Sequence, residues 1–307
     1  MKTKLFIVFL CFVFKTYSQN APFSSQDISI NNLIDGTLLL PNNTEKPNLV
    51  ILIGGSGPTD RNGNQSFLKN NSLKKLAEGI SNNSIATFRY DKRIVKQIRQ
   101  GTIDNNILFD NFVTDAISVI DYFKHSKSFN HIFVLGHSQG SLVGMLAAKD
   151  RADGFISISG VGQTIDNIVI EQIGKTYPIF SKDVNRVFNE LRKGKKTNDY
   201  PKELAAVFNI DIQPFMMNWM QYNPQDEIKK LKMPILIIGG TKDLQVETKE
   251  AELLHESVPN STLKLIDKMN HVLVTIDGDD MENSKSYNEA FREISPPLID
   301  EIVNFVK

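Results

Sequence analysis

The chain has 307 residues, of which 41% are hydrophobic, and its 35 basic and 35 acidic side chains leave no formal net charge. This length can bury a large core, and the balanced charge argues against nucleic acid as a partner. Cys11 is the only cysteine, so the chain cannot form an internal disulfide and must draw its stability from its core.

The first residues predict a signal peptide over residues 1–19. A basic start precedes an apolar run over residues 5–14, which is too short to span a bilayer as an ordinary helix. Cleavage is expected after Ser18 or Gln19, and it would leave an exported product, periplasmic or secreted, without stable membrane insertion. An uncleaved anchor and lipidation of Cys11 are the alternatives.

Apolar segments and turn residues then predict strands that alternate with helices. A hairpin is expected over 27–40, with strands over 48–53, 84–90, 131–135, 154–160, 233–240 and 261–267. Helices are expected over 67–79, 107–123, 141–149, 165–175, 182–193, 201–209, 249–258 and 298–306. This alternation is typical of a mostly parallel sheet with helices on both faces, in one domain over residues 20–307. The insertion at about 163–232 predicts a helical cap.

A G-x-S-x-G pentad lies between a predicted strand and a predicted helix. Residues 136–140 read GHSQG. Such a turn is sharp and strained, and glycine at both ends avoids collisions with the neighbouring strand and helix. The pattern predicts that Ser138 is a nucleophile with its Oγ above the sheet. A serine that only caps the helix is the alternative.

A serine nucleophile needs a base and an acid, and the chain offers both in the order Ser, Asp, His. A neutral imidazole must accept the serine proton, and a carboxylate must orient the imidazole. Asp243 follows the strand over 233–240, and His271 follows the last strand. Asp267 precedes the histidine too closely to serve as the acid. Three further aspartates follow the histidine: Asp277, Asp279 and Asp280.

An acyl-transfer site also needs two backbone N–H groups that bind the oxyanion. We expect one from Gln139, the residue after the nucleophile, and one from Ser56 in the glycine-rich loop after the strand over 48–53. A shift of one residue to Gly55 is the alternative. This loop lacks the endings of nucleotide-binding motifs, and no histidine spacing or EF-hand pattern indicates a metal, so no cofactor is expected.

Three segments resemble a known family. Residues 55–64 (GSGPTDRNGN), 89–93 (RYDKR) and 233–246 are similar to those of serine-aminopeptidase-like hydrolases and secreted bacterial esterases, a branch of the α/β-hydrolases. Many relatives continue the second segment with Gly-x-Gly, but this chain has Ile-Val-Lys over 94–96, so that loop is shaped differently or is helical. Gly54 also stands where many superfamily members have histidine.

The resemblance implies an α/β-hydrolase fold, with the cap inserted before the strand that leads to the catalytic acid. It implies a serine hydrolase that forms an acyl-enzyme and acts on small or medium carboxylic esters. The alternatives are an aminopeptidase that cleaves short peptides or amides, and a non-catalytic binding protein. An aminopeptidase would need a carboxylate in the cap for the substrate amine, and the candidates are Glu171, Asp183, Glu190 and Asp211.

The cap contains many Met and aromatic side chains. Phe215, Met216 and Trp219 are the predicted substrate-binding residues, as an adaptable apolar wall for an acyl group. Packing of the cap onto the body is the alternative, and both roles can hold.

Overall fold

The computed structural model describes residues 22–307, whose eight strands form one sheet. The strands are β1 Phe23–Ser29, β2 Asp35–Pro41, β3 Leu49–Ile53, β4 Ala86–Tyr90, β5 Ile132–His137, β6 Gly154–Ile158, β7 Ile235–Gly240 and β8 Thr262–Ile266. Their order is β1-β2-β4-β3-β5-β6-β7-β8. Only β1–β2 and β2–β4 pair antiparallel, so the predicted mostly parallel sheet is confirmed. The predicted signal peptide and Cys11 lie outside the described residues.

Twelve α-helices connect or follow these strands within residues 22–307. They are α1 Ser72–Ser81, α2 Arg93–Gln100, α3 Phe109–Ser126, α4 Gln139–Ala148, α5 Ile165–Thr176, α6 Ser181–Arg192, α7 Ala205–Phe208, α8 Gln213–Trp219, α9 Pro224–Ile228, α10 Thr248–Ser257, α11 Asp280–Ser286 and α12 Pro296–Val306. In this part of the chain, none of the helices combines the length and apolarity needed to cross a membrane.

The core lies on both faces of the sheet because strand side chains alternate between faces. Along β3, Leu49, Ile51 and Ile53 pack with apolar residues of α3, α4 and α10. Val50 and Leu52 point the other way and pack with α1 and α12. The two faces of the parallel strands are therefore both covered, and their carboxyl ends meet at one edge of the sheet.

Some helices differ from the sequence-based expectation. α1 begins at Ser72, not at residue 67, because the side chain of Asn64 accepts the N–H groups of Asn70 and Asn71 and holds that segment as a loop. Phe67 is consequently 89% exposed. Residues 94–96, where relatives have Gly-x-Gly, lie in α2, so this segment is helical.

The short helices α8, α9 and α11 have too few turns to give a clear apolar period, so no pattern marked them. α11 is instead capped by Asp279, whose side chain accepts the N–H groups of Met281 and Glu282.

Residues 163–232 lie between β6 and β7 and contain α5 to α9. They carry their own apolar cluster, whose fully buried members include Val184, Val187, Phe188 and Phe208. We call this segment the cap. Its short helices lie at the carboxyl edge of the sheet, over the turn between β5 and α4.

Candidate active site

The turn between β5 and α4 holds Ser138 in a strained backbone conformation. Its φ of 55° and ψ of −123° are values that side-chain-bearing residues rarely adopt. Glycine is needed on both sides: a Cβ at Gly136 would lie 2.2 Å from the carbonyl oxygen of Gly140. A Cβ at Gly140 would lie 2.3 Å from the carbonyl oxygen of Ile53. The absence of these two side chains lets α4 pack closely against β5 and β3, with Ser138 half-buried at the sheet edge.

Asp243 and His271 form a buried pair on the loops after β7 and β8. Nδ1 of His271 lies 2.8 Å from Oδ2 of Asp243, while Oδ1 accepts the N–H groups of Gln245 and Val246. Burial alone would raise the pKa of Asp243, but the adjacent His271 and these hydrogen bonds hold it below its ordinary value. An ionised carboxylate can only accept a hydrogen bond, so Nδ1 carries a proton and Nε2 is the ring nitrogen left to exchange one.

His137 supports the backbone of His271. Nε2 of His137 lies 2.9 Å from the carbonyl oxygen of His271, and the two rings are 4.8 Å apart. Burial, with a smaller contribution from His271, lowers the pKa of His137 to about 3, so its ring is neutral near pH 7. No local pattern indicates this role, because His137 occupies a variable position of the pentad and its partner is 134 residues away.

Helix α11 ties the loop of the acid to the loop of the histidine. Asn283 donates a hydrogen bond to the carbonyl oxygen of Lys242 at 2.6 Å and accepts one from Asn270 at 2.8 Å. Both asparagines are fully buried. Lys242 directly precedes Asp243, and Asn270 directly precedes His271. The network therefore fixes the two loops relative to each other, and no local sequence pattern indicated it.

The two predicted oxyanion-binding residues come from separate elements and meet beside Ser138. Gln139 is the first residue of α4, where backbone N–H groups have no carbonyl of the helix to bond. Ser56 lies in the loop after β3. This loop passes directly beside the serine, because a Cβ at Gly55 would lie 3.2 Å from Cβ of Ser138.

Two cavities meet at Ser138, and each has a volume of about 130 Å³. Ser138 and His271 line the first cavity together, although no hydrogen bond joins their side chains within the described residues. The lining of the first cavity mixes polar and apolar groups: Thr59, Gln65, Asn70, Ser72 and Tyr287 lie beside Leu68, Leu73 and Val272. The second lies under the cap and has a largely apolar lining: Leu142, Val161, Ile165, Ile168, Trp219, Pro224 and Val246. Among residues 22–307, no Asp, Glu, Lys or Arg lines either cavity.

The predicted substrate-binding residues lie in different places. Trp219 lines the second cavity. Phe215 packs edge-on against the rings of Phe109 and Phe112, and Met216 lies in the apolar cluster of the cap. The three were grouped by composition, but Phe215 and Met216 are adjacent in the helix and point about 100° apart, so these two face different surroundings.

The four carboxylates considered for an aminopeptidase lie outside the two cavities, although Glu171 accepts a hydrogen bond from Gln163, which lines the second. Glu171, Asp183 and Glu190 each pair with a basic side chain three or four residues further along the chain. Asp211 is exposed. None of the four lines either cavity in the described part of the chain.

Comparisons with known proteins identify the family of this chain. The model of the family described as serine aminopeptidase, S33, matches residues 71–277. Esterase EstD of Thermotoga maritima is 26% identical over 272 residues, which cover 85% of this chain but only 63% of the relative. The chain thus spans less than two thirds of that relative's length.

Solved structures show the same fold. Est1E from Butyrivibrio proteoclasticus matches with a TM-score of 0.57 at 18% identity, over 92% of this chain and 98% of its own. An esterase of Pyrococcus furiosus matches with a TM-score of 0.51 at 16% identity, over 81% and 83% of the two chains. The fold is that of the α/β-hydrolases, and the family match over residues 71–277 shows that the chain belongs to the serine aminopeptidase S33 family.

Proposed function

We propose that this protein is a serine hydrolase that cleaves carboxylic esters through an acyl-enzyme. Ser138 is the nucleophile, His271 the general base and acid, and Asp243 the carboxylate that orients His271. The backbone N–H groups of Ser56 and Gln139 bind the oxyanion. The observation that supports this most is the hydrogen-bonded Asp243–His271 pair beside the cavity that contains Ser138.

The proposed reaction follows from the protonation state of this pair. Oγ of Ser138 attacks the ester carbonyl, and its proton passes to the unprotonated Nε2 of His271. The resulting oxyanion accepts hydrogen bonds from the two backbone N–H groups. The imidazolium then protonates the leaving alcohol, the C–O bond breaks, and an acyl-serine remains. Water attacks this ester by the same steps, which releases the acid and restores Ser138.

The lining of the two cavities favours esters over aminoacyl substrates. A peptide with a free amine carries a positive charge that a buried site must neutralise. In the described part of the chain, no carboxylate lines either cavity. We assign the acyl group to the cavity under the cap, which is the more apolar of the two, and the alcohol to the first cavity, whose lining is mixed. The similarity to an esterase of Thermotoga maritima agrees with this preference.

Two measurements test the proposal. A fluorophosphonate probe should label the wild-type protein on Ser138 and should not label Ser138→Ala. A panel of p-nitrophenyl acyl esters and aminoacyl p-nitroanilides should then show turnover of the neutral esters. Absence of labelling would contradict a serine hydrolase. Labelling combined with faster turnover of the anilides would favour an aminopeptidase.

A further inference from the structure

A buried lysine lies behind the loop that carries Ser56. Lys92 follows β4 and is only 5% exposed. Its Nζ lies 2.9 Å from the carbonyl oxygen of Gly55 and 2.7 Å from Oε1 of Gln139. The same Nζ lies 4.2 Å from the centre of the Phe112 ring. One ammonium group therefore joins the loop after β3 to the first residue of α4.

The contact with Gly55 fixes the direction of the neighbouring N–H group. The carbonyl of Gly55 and the N–H of Ser56 belong to one peptide unit, and no cis peptide occurs among the described residues. In a trans unit the C=O and N–H bonds point to opposite sides. Because the carbonyl points at Lys92, the N–H of Ser56 points away from Lys92. A charged donor on the carbonyl also polarises the unit and makes that N–H a stronger donor.

The contact with Gln139 fixes the other residue. The side chain of Gln139 accepts from Lys92, while its backbone N–H stands at the amino end of α4. The spacing between the two donors determines how well they fit one oxyanion, and small errors of position weaken such sites strongly. A single ammonium group that hydrogen-bonds to both Gly55 and Gln139 therefore constrains this spacing.

We propose that Lys92 is a positioning residue that holds the Ser56 and Gln139 N–H groups at the spacing and direction that an oxyanion requires. This inference rests on the proposed serine-hydrolase function. Lys92 belongs to residues 89–93, the second segment that resembles the family, and the proposal gives this segment a role in the reaction.

The surroundings of Lys92 make its charge sensitive to pH. On α3, Asp115 is the charged group nearby, but its two oxygens already accept hydrogen bonds from Arg93 of α2 at 2.7 Å each. The groups from the β3 loop and α4 that contact Lys92 are neutral. Burial therefore lowers the pKa of Lys92 to about 7, and Asp115 opposes this only in part. Above that pH the group keeps two N–H donors but loses its charge, so its hydrogen bonds weaken.

The test compares Lys92→Met with wild type and with Lys96→Met on a p-nitrophenyl ester. Lys96 is a matched control, because it lies nearby on α2 but pairs with Asp35 at 2.9 Å. Lys92→Met should lower kcat about 10- to 100-fold, less than complete loss of an oxyanion donor, which costs about 10²–10³. KM should hardly change, because the oxyanion exists only after attack. Lys96→Met should behave as wild type.

The pH profile separates positioning from a merely structural role. In the wild type, kcat/KM should decline several-fold with an apparent pKa of about 7 as Lys92 loses its proton, and this decline should be absent in Lys92→Met. Wild-type kcat in Lys92→Met, or persistence of the alkaline decline, would overturn the proposal. If the variant does not fold, the wild-type profile decides, and a flat profile above neutral pH overturns the proposal.

Different results would contradict the serine-hydrolase function and the role of Lys92. A wild-type protein that a fluorophosphonate does not label on Ser138 would contradict the hydrolase itself. A labelled, active wild type with an unaffected Lys92→Met would contradict only the role of Lys92.

Discussion

At the scale of single residues, Ser138 occupies a backbone conformation that the surrounding fold imposes. A φ of 55° at a serine is strained, and it persists because α4 and β3 enclose the turn. Such strain concentrates at functional sites, and here it accompanies the buried Asp243–His271 pair. The predictions at this scale concern the residues that contact or support that pair.

The first prediction concerns the proposed triad. Ser138→Ala and His271→Ala should each lower kcat by at least about 10⁴-fold, because each breaks the same catalytic unit. The double variant should be little worse than either single variant, and Asp243→Asn should lose somewhat less. Steady-state kinetics on a p-nitrophenyl ester would check this, with circular dichroism as the control for folding. Near wild-type turnover by Ser138→Ala would rule out the assignment.

The second prediction concerns acid stability. The folded pKa of His137 is lowered to about 3 from 6.5, so the unfolded chain binds more protons between these values. The contribution of His137 to the free energy of unfolding should therefore be fully present above about pH 6.5. Below that pH, the free energy of unfolding should decrease by up to about 1.4 kcal/mol per pH unit because of this residue. His137→Gln keeps an N–H donor but does not titrate, so this variant should lose less stability than the wild type as the pH falls.

Urea unfolding at a series of acid pH values would measure this difference. His125→Gln is the matched control, because His125 is an exposed histidine on α3 and should leave the slope unchanged. Equal slopes for wild type and His137→Gln would contradict the prediction.

At the scale of elements, α11 and the cap act on the site in different ways. α11 contains no residue of the proposed triad, yet it bonds to the residues directly before Asp243 and His271. The cap supplies the wall of the second cavity through Trp219. In each of α11 and α8, we therefore expect one substitution to affect the site and a second substitution in the same helix to act differently.

The third prediction concerns Asn283. Asn283→Leu should lower the free energy of unfolding by about 1–3 kcal/mol, because it leaves an N–H group of the fully buried Asn270 without its acceptor and the carbonyl of Lys242 without its donor. It should also lower kcat, because the loops of the acid and the histidine lose their link. Ser284→Ala, at an exposed position of the same helix, is the control. Unchanged kcat and unchanged unfolding in Asn283→Leu would show that the network does not fix the site.

The fourth prediction concerns the cap helix α8. Trp219→Ala should change the ratio of kcat/KM between long and short acyl chains, because one methylene more or less in an apolar pocket is worth about 1–3 kcal/mol. Met216→Ala removes a side chain of similar character that packs inside the cap, and it should lower stability while affecting all chain lengths by one factor. A uniform effect from Trp219→Ala would assign Trp219 to packing alone.

At the scale of the whole molecule, we propose that the protein is exported after removal of residues 1–19. A basic start and a short apolar run are the features that a signal peptide requires. Mass spectrometry of protein from its native host should find a mature terminus near Gln19 or Asn20. An intact Met1 terminus in the cytoplasm would contradict export, and a lipid on Cys11 would indicate an anchored product.

The sequence by itself determined the parallel sheet, its alternation with helices and the candidate residues Ser138, Asp243 and His271. These follow from local patterns: apolar periodicity, glycine spacing, and the order of polar residues after successive strands, whose carboxyl ends must meet at one edge. The short helices α8, α9 and α11 were not predicted, because one or two turns give no clear period, and for α2 a helix was only one of two alternatives.

Only the tertiary structure decided which side chains support the site and which merely surround it. Lys92 meets partners 37 and 47 residues away, and His137 meets one 134 residues away. Such pairings depend on how distant segments pack, and no spacing along the chain encodes them. Likewise, Met216 and Trp219 have similar apolar character and share α8, yet only Trp219 lines the cavity beside Ser138. Residues three apart share one side of a helix, so what packs around each of them made that difference.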